Sequence, residues 1–240
     1  HTIPSGGNFA MTSLSLNNVN LTLAPGSAPN LAVIDINGST LTSEDSRTFS
    51  NLTLRGDGRL SVASGSAVEV TGTFEWSAGT VTRDGRLIIA SGGVANLTTT
   101  AGKFLDGVFE NRGTTNYTGT ALLFGRDAGN LPARIENAAG GVFIVDGEGD
   151  FSPNFGSGTY RIDNAGTFIK RGAGTTTIVN NPVFFGSTGT VTVESGELRF
   201  NGGSSLGGAV GGAGVLTFFS GSHTIPSGGN FAMTSLSLNN

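Results

Sequence analysis

The 240-residue chain contains no cysteine, one tryptophan, two tyrosines, two histidines and two lysines against eleven arginines, and only 12% of it is charged. Each shortage removes a class of chemistry. Without cysteine there is no disulfide framework, thiol nucleophile or thiolate metal site. That lack fits an extracellular protein free of redox chemistry, and fits a cytosolic one equally well. Scarce lysine and a net charge of −4 leave no basic stripe for a phosphate backbone, so nucleic acid is not an expected partner. No run approaches the ~20 consecutive apolar residues of a membrane helix, so no membrane insertion of this segment is expected. His1 and His223 both open the polar turn HTIPSGG and read as turn residues rather than catalytic bases or ligands. Phosphate-loop, nucleophile-elbow and dinucleotide patterns are missing too. The expectation is a chain that is not an enzyme and takes no cofactor.

Glycine, by contrast, supplies 40 residues, and hydrophobic residues make up 37%. That much apolar material at so low a charge argues for a packed core rather than disorder. LSLNNVNLTL, from residue 14, RLSVASGSAVEV (59–70) and TGTVTVESGELRF (188–200) alternate apolar with small polar residues, bounded by Gly, Asn, Asp and Ser. Period two with such boundaries predicts short strands. No stretch keeps a helical apolar period, and glycine at this density destabilises helices. The chain reads as all-β.

Two periods are superimposed. Residues 1–18, HTIPSGGNFAMTSLSLNN, recur letter for letter as residues 223–240. Residues 1–222 therefore read as one unit, and 223–240 as the start of the next identical unit continuing the same solenoid. The two copies are expected to share one backbone, related by a shift along the axis and a modest twist. The chain is expected to be a window on a longer array, its partners being further copies end to end, covalent or docked. Within the unit, DGRLSVASG (57–65) returns as DGRLIIASG (84–92). The triplets Phe109-Glu110-Asn111, Ile135-Glu136-Asn137 and Ile162-Asp163-Asn164 keep nearly the same interval, with glycines at 113, 140 and 166. The short period is thus about 27 residues, within the range of stacked repeat architectures. A sandwich needs no such period, and a propeller blade needs roughly 40–50 residues. The period suits a right-handed parallel β-solenoid (β-helix) of eight or nine coils per unit, roughly 38–43 Å long at ~4.8 Å per coil.

That winding places Leu60, Val62, Leu87, Ile89, Val191 and Val193 inward. It predicts structural ladders: Asn111, Asn137 and Asn164 stacked through their amides, and Asp57 with Arg59 stacked on Asp84 with Arg86, Arg86 reaching Asp57. Asp146, Glu148 and Asp150, spaced in a Gly-rich loop, are candidate calcium ligands, although a solvated loop explains them equally and is preferred; no metal site is otherwise expected. Glu44, Asp45, Ser46 and Arg47 read as a polar turn. Sixteen Phe against one Trp and two Tyr point the aromatics into a dry core, leaving Trp76 and Tyr117 as candidates for a sugar platform.

TGTFEWSAGTVT (71–82), FENRGTTNYTG, IDNAGTFIKRGAGTTTI and GSTGTVTVESGELRFNGG (186–203) resemble the repeat regions of giant bacterial extracellular β-helix proteins, of the adhesin and autotransporter-passenger kind. The resemblance spans roughly residues 50–220 and rests on a style of repeat rather than a catalytic signature. It implies an extracellular or cell-surface location and a structural role in a filament or surface stalk. One alternative is a glycan- or surface-binding adhesin module contacting a host or cell surface. Another is a polysaccharide-active β-helix enzyme using Asp57, Asp84, Arg59 and Arg86 on neighbouring coils. The calcium nonapeptide of toxin-type solenoids is not matched, because GGAGVLTFF (211–219) lacks its Asp.

Overall fold

The computed structural model describes residues 1–7, 11–27, 31–82, 84–126, 132–154, 158–178 and 183–239. Among them there is no helix, and the strands pair in parallel, each with the strand one turn away. The chain winds as a parallel β-solenoid of about ten turns with three strands to a turn. A representative turn runs Thr73–Trp76, Gly79–Thr82 and Arg86–Ile89, and these three strands lie on what we call the first, second and third faces. The next turn places Val94–Leu97, Lys103–Leu105 and Val108–Asn111 on the same faces in the same order. The first two faces form one 21-stranded sheet, since Ala209–Phe218 and Asn230–Leu238 run unbroken round the corner between them; the third is a separate nine-stranded sheet.

Turn length is not constant. On the first face the register passes from Ser13 to Val33 to Asn51, then from Leu52 to Phe74, in short steps. The step from Thr114 to Val142 is much longer, and those from Val142 to Thr167 and from Thr167 to Thr190 shorten again. The mean turn is about 22 residues rather than about 27. The stack therefore holds about ten turns where eight or nine were expected, and its length is roughly 50 Å.

The shorter turns also overturn the expected DGR ladder. Arg86 is the sequence repeat of Arg59, but the residue that pairs with Arg59 one turn on is Thr80. Arg86 lies further along, past a corner, and pairs with Ala67 and Val108 on the third face. Asp57 and Asp84 therefore sit at different corners, and no contact joins Arg86 to Asp57. Asp57 instead approaches Arg126 at 4.0 Å.

Alternation decides what is buried. Leu60 and Val62 face inward from the second face, Leu87 and Ile89 from the third, Val191 and Val193 from the first, and all six are buried. They line one core but three separate columns. Towards the C-terminal end the core becomes aromatic: Phe143 stacks on Phe168 at 5.6 Å, and Phe168, Phe185, Phe200 and Phe218 follow at 5.3, 5.1 and 6.0 Å. Each buried ring stabilises by roughly 2–3 kcal/mol, so the axis is held by hydrophobic columns as well as by the backbone ladder.

The corner from the third face back to the first is built from glycine. Gly113, Gly141, Gly166, Gly189 and Gly208 stack turn upon turn, and a Cβ on any of them would run into a backbone carbonyl of the turn before. The amides after Gly113, Gly141, Gly166 and Gly189 each donate to a glycine carbonyl one turn away, as Thr167 N does to Gly141 O at 2.9 Å and Thr190 N to Gly166 O at 2.8 Å. No side chain fits between turns packed this closely.

Candidate functional site

Beside the glycine corner, at the ends of the third-face strands, lies the asparagine ladder. Asn111 pairs in register with Asn137, and Asn137 with Asn164. Asn111 Nδ2 donates to Asn137 Oδ1 at 2.8 Å, Asn137 Nδ2 to Asn164 Oδ1 at 2.7 Å, and Asn164 Nδ2 to Ser187 Oγ at 2.9 Å. The same amides reach the first face, donating to Val142 O, Thr167 O and Thr190 O at 3.0 Å each. All three side chains are buried. Each amide thus ties two turns along the axis and two faces across a corner.

Outward from the ladder, the third face carries a ribbon of charge. Arg86 bonds both Glu110 at 2.8 Å and Glu136 at 2.6 Å; Arg134 bonds Asp163 at 2.7 Å, and Arg161 bonds the same carboxylate at 2.8 Å. Burial pushes the Asp163 carboxyl up, but the bonds and charges of Arg161 and Arg134 outweigh it and hold it below the usual range. A shallow groove of about 850 Å³ runs beside the ribbon, with Arg134, Glu136, Arg161, Asp163 and Phe184 in its wall. Acid–base cleavage of a sugar chain needs one carboxyl kept protonated near neutrality. The Asp163 carboxyl is driven the opposite way. Asp150 is raised by burial, but its Oδ1 is occupied by the Thr177 amide at 2.7 Å.

The other candidate residues disperse. Trp76 and Tyr117 are fully buried: Trp76 Nε1 donates to Gly79 O at 3.4 Å and Tyr117 Oη to Asp150 O at 3.0 Å. They are core rings, not a sugar platform. Asp146, Glu148 and Asp150 do not converge either. Asp146 accepts from Arg171 Nε at 3.0 Å, Glu148 packs against Gly174, and Asp150 turns to Thr177. Among the described residues no three His, Asp or Glu side chains form a metal cluster. His223 is a turn residue in a built setting: Nε2 lies 3.0 Å from Ser220 O, Nδ1 lies 2.9 Å from Ser204 Oγ, and the ring stacks on Phe218 at 4.6 Å. Asp45 and Arg47 form an ion pair within their polar turn, and Arg47 donates to Ser27 O and Ala24 O of the preceding turn.

Sequence reading passed over both lysines, and both are fully buried. Lys103 Nζ donates to Thr99 O and Ala101 O at 3.1 Å, closing a turn in which Thr99 has a φ of +68°. Lys170 Nζ donates to Arg171 O at 2.8 Å and Gly172 O at 3.0 Å. Burial lowers the Lys103 ammonium to about 8, and lowers Lys170 too, with Asp146 and Glu148 partly opposing. For a lysine lowered in the folded state, the unfolded chain holds the extra proton between about pH 8 and the ordinary value of 10.5. Stability therefore rises with pH across that window and falls as pH drops back through it. From pH 7.5 to 10 the gain from Lys103 is about 2 kcal/mol. Urea unfolding followed at both pH values checks this; a midpoint no higher at pH 10, or a Lys103→Met variant with the same slope, would disprove it.

The two copies of the repeated segment provide the last feature. Leu16 is 4% exposed because Val33–Asn37 covers its strand, whereas its counterpart Leu238, with no strand beyond it, is 72% exposed. Ile3 and Ile225 stand at 8% and 48%. At the first end an apolar cavity of about 330 Å³ opens among Ile3, Met11, Leu14, Leu21 and Leu31. Both ends of the stack present unpaired parallel strand edges and bare core. Compared with protein-family models, curated proteins and solved structures, the chain finds no match.

Proposed function

We propose that this chain is a section of a rigid rod, the structural component of an extracellular filament or surface stalk made from tandem copies of the solenoid unit spanning residues 1–222. One observation carries the reading: the eighteen residues that open the stack also close it, and both copies supply strands to it. A unit whose last turn is the next unit's first turn needs no linker. The hydrogen bonds run along the long axis, the aromatic core and the asparagine ladder lie beside them, and each adds resistance to bending. Tandem extension also removes the hazard of bare solenoid ends, since every unit covers the open edge of its neighbour. The extracellular setting rests on the resemblance of the repeats to giant surface proteins.

Chains of one, two and four units, viewed by negative-stain microscopy, should give thin uniform rods that lengthen by roughly 50 Å per unit. Beads separated by bends at fixed intervals would sink the proposal.

A further inference from the structure

The two copies of the repeated segment do not occupy the same faces. Thr2–Ile3 pairs with Asn20–Leu23 on the second face, whereas His223–Thr224, which opens the second copy, pairs with Ser204–Leu206 on the third. Ser13–Asn17 lies on the first face under Val33–Asn37, whereas its repeat, from Ser235 to Leu238, lies on the second face over Val215 to Phe218. Following the pairings from Thr2–Ile3 up the second face reaches Val215–Phe218 after ten steps, and His223–Thr224 is one face beyond. Following the first face from Ser13–Asn17 gives ten steps to the strand at Asn230, and Ser235 is again one face beyond. Two separate counts agree on ten turns and one face. The expected axial shift with a modest twist is thereby corrected to a shift with a third of a turn.

We infer that the C-terminal turn is a docking surface for the following unit of the same chain, and that this unit is seated one face round. The inference rests on the tandem-rod reading above and adds the geometry of the joint. Both halves of that joint are already present. The C-terminal copy has the turn below it, with Leu216 under Leu236 and Phe218 under Leu238. The N-terminal copy has the turn above it, with Ile34 over Leu14 and Ile36 over Leu16. Overlaying the identical residues puts Phe218, Leu238 and the next unit's Ile36 in one inward column, and buries Leu238 as Leu16 is buried here. The apolar cavity beside Leu14 and Ile3 then receives the preceding unit's last turn. Because the solenoid has three faces, three units restore the starting orientation. The ribbon of Arg86, Arg134 and Arg161 with their carboxylates therefore faces a new direction in each successive unit.

The test is the structure of a two-unit chain, residues 1–222 followed by residues 1–240, together with double-cysteine cross-linking, which the absence of native cysteine makes clean. In the rotated joint Val215 lies two rungs below Val33 of the second unit, by way of the Ser235 position. A short bis-maleimide should then link Val215→Cys in the first unit to Val33→Cys in the second, and should leave Ala209→Cys, on the first face, unlinked to it. One continuous rod with its ribbons a third of a turn apart and that linking pattern is the expected result. One continuous rod with aligned ribbons and the reverse linking pattern overturns the rotation while leaving the rod intact. Two bodies joined by an unpaired segment, with neither pair linked, overturn both.

Discussion

Asn137→Ala is expected to destabilise the turns around it by about 4 kcal/mol, while Asn96→Ala, in a ladder of similar composition, changes stability by less than about 1 kcal/mol. The difference lies in where each amide sits. Asn137 is buried, accepts from Asn111 and donates to Asn164 and Thr167 O. Removing it leaves an amide hydrogen of Asn111, the Asn164 Oδ1 and a corner carbonyl short of partners, away from water. Each such group costs about 1–3 kcal/mol. Asn96 bonds Glu75 at 2.6 Å and Asn116 at 3.1 Å on the half-exposed first face, where water replaces a lost partner. Turns in a solenoid depend chiefly on their neighbours, so the loss should appear locally. Amide hydrogen exchange should accelerate in Val108–Asn111, Ala133–Asn137 and Tyr160–Asn164 and stay unchanged near Asn51–Arg55. Equal effects from the two substitutions would show that burial of the ladder contributes nothing.

The Asn ladder was legible because its turns are the long ones, so that one repeat of the triplet is also one turn of the third face. The same spacing misled at DGR, where one turn from Arg59 ends at Thr80 and the remainder carries the chain round a corner to Arg86. A period measured in sequence identifies a ladder only where loop lengths keep every corner in place. Among the triplet glycines, 113 and 166 belong to the stacked corner, but at the middle triplet the stacked residue is Gly141. Gly140 turns the loop with a φ of +86°.

Parity held the signal for the residues that were missed. Lys170 lies two residues from Phe168, and Lys103 two from Leu105, so alternation alone places both inward. Their charge argued against it. Burial is possible because a four-carbon stem crosses the apolar layer and the ammonium meets turn carbonyls that need donors. Trp76 likewise shares parity with the buried Phe74, which assigns it to the core. The one-face offset between the repeats was beyond reach from sequence, since it depends on the number of turns in the unit, and that number follows from where each loop closes.

Gly189→Ala tests the corner on which the winding depends, and a loss of about 3 kcal/mol is expected. The argument is steric, because Gly189 is not among the glycines with positive φ. Its Cβ would overlap Gly166 O outright and lie 2.6 and 2.7 Å from the backbone C and O of Ala165. The obstacle is main chain on the turn before, fixed by its own bond from Thr190 N to Gly166 O at 2.8 Å, so it has no rotamer into which to retreat. Relief requires the two turns to part, which lengthens that bond and its neighbour from Gly189 N to Asn164 O at 3.0 Å. Gly211→Ala is the matched control, for its Cβ would meet nothing nearer than Ala232 O at 3.4 Å, an ordinary contact, and it too lacks a positive φ. There the smaller entropy of the unfolded chain should leave stability unchanged or raise it by up to about 1 kcal/mol. Denaturant midpoints of the two variants should therefore move apart. If Gly189→Ala matched the parent, the close stacking of turns at this corner would not be what holds the solenoid to its pitch.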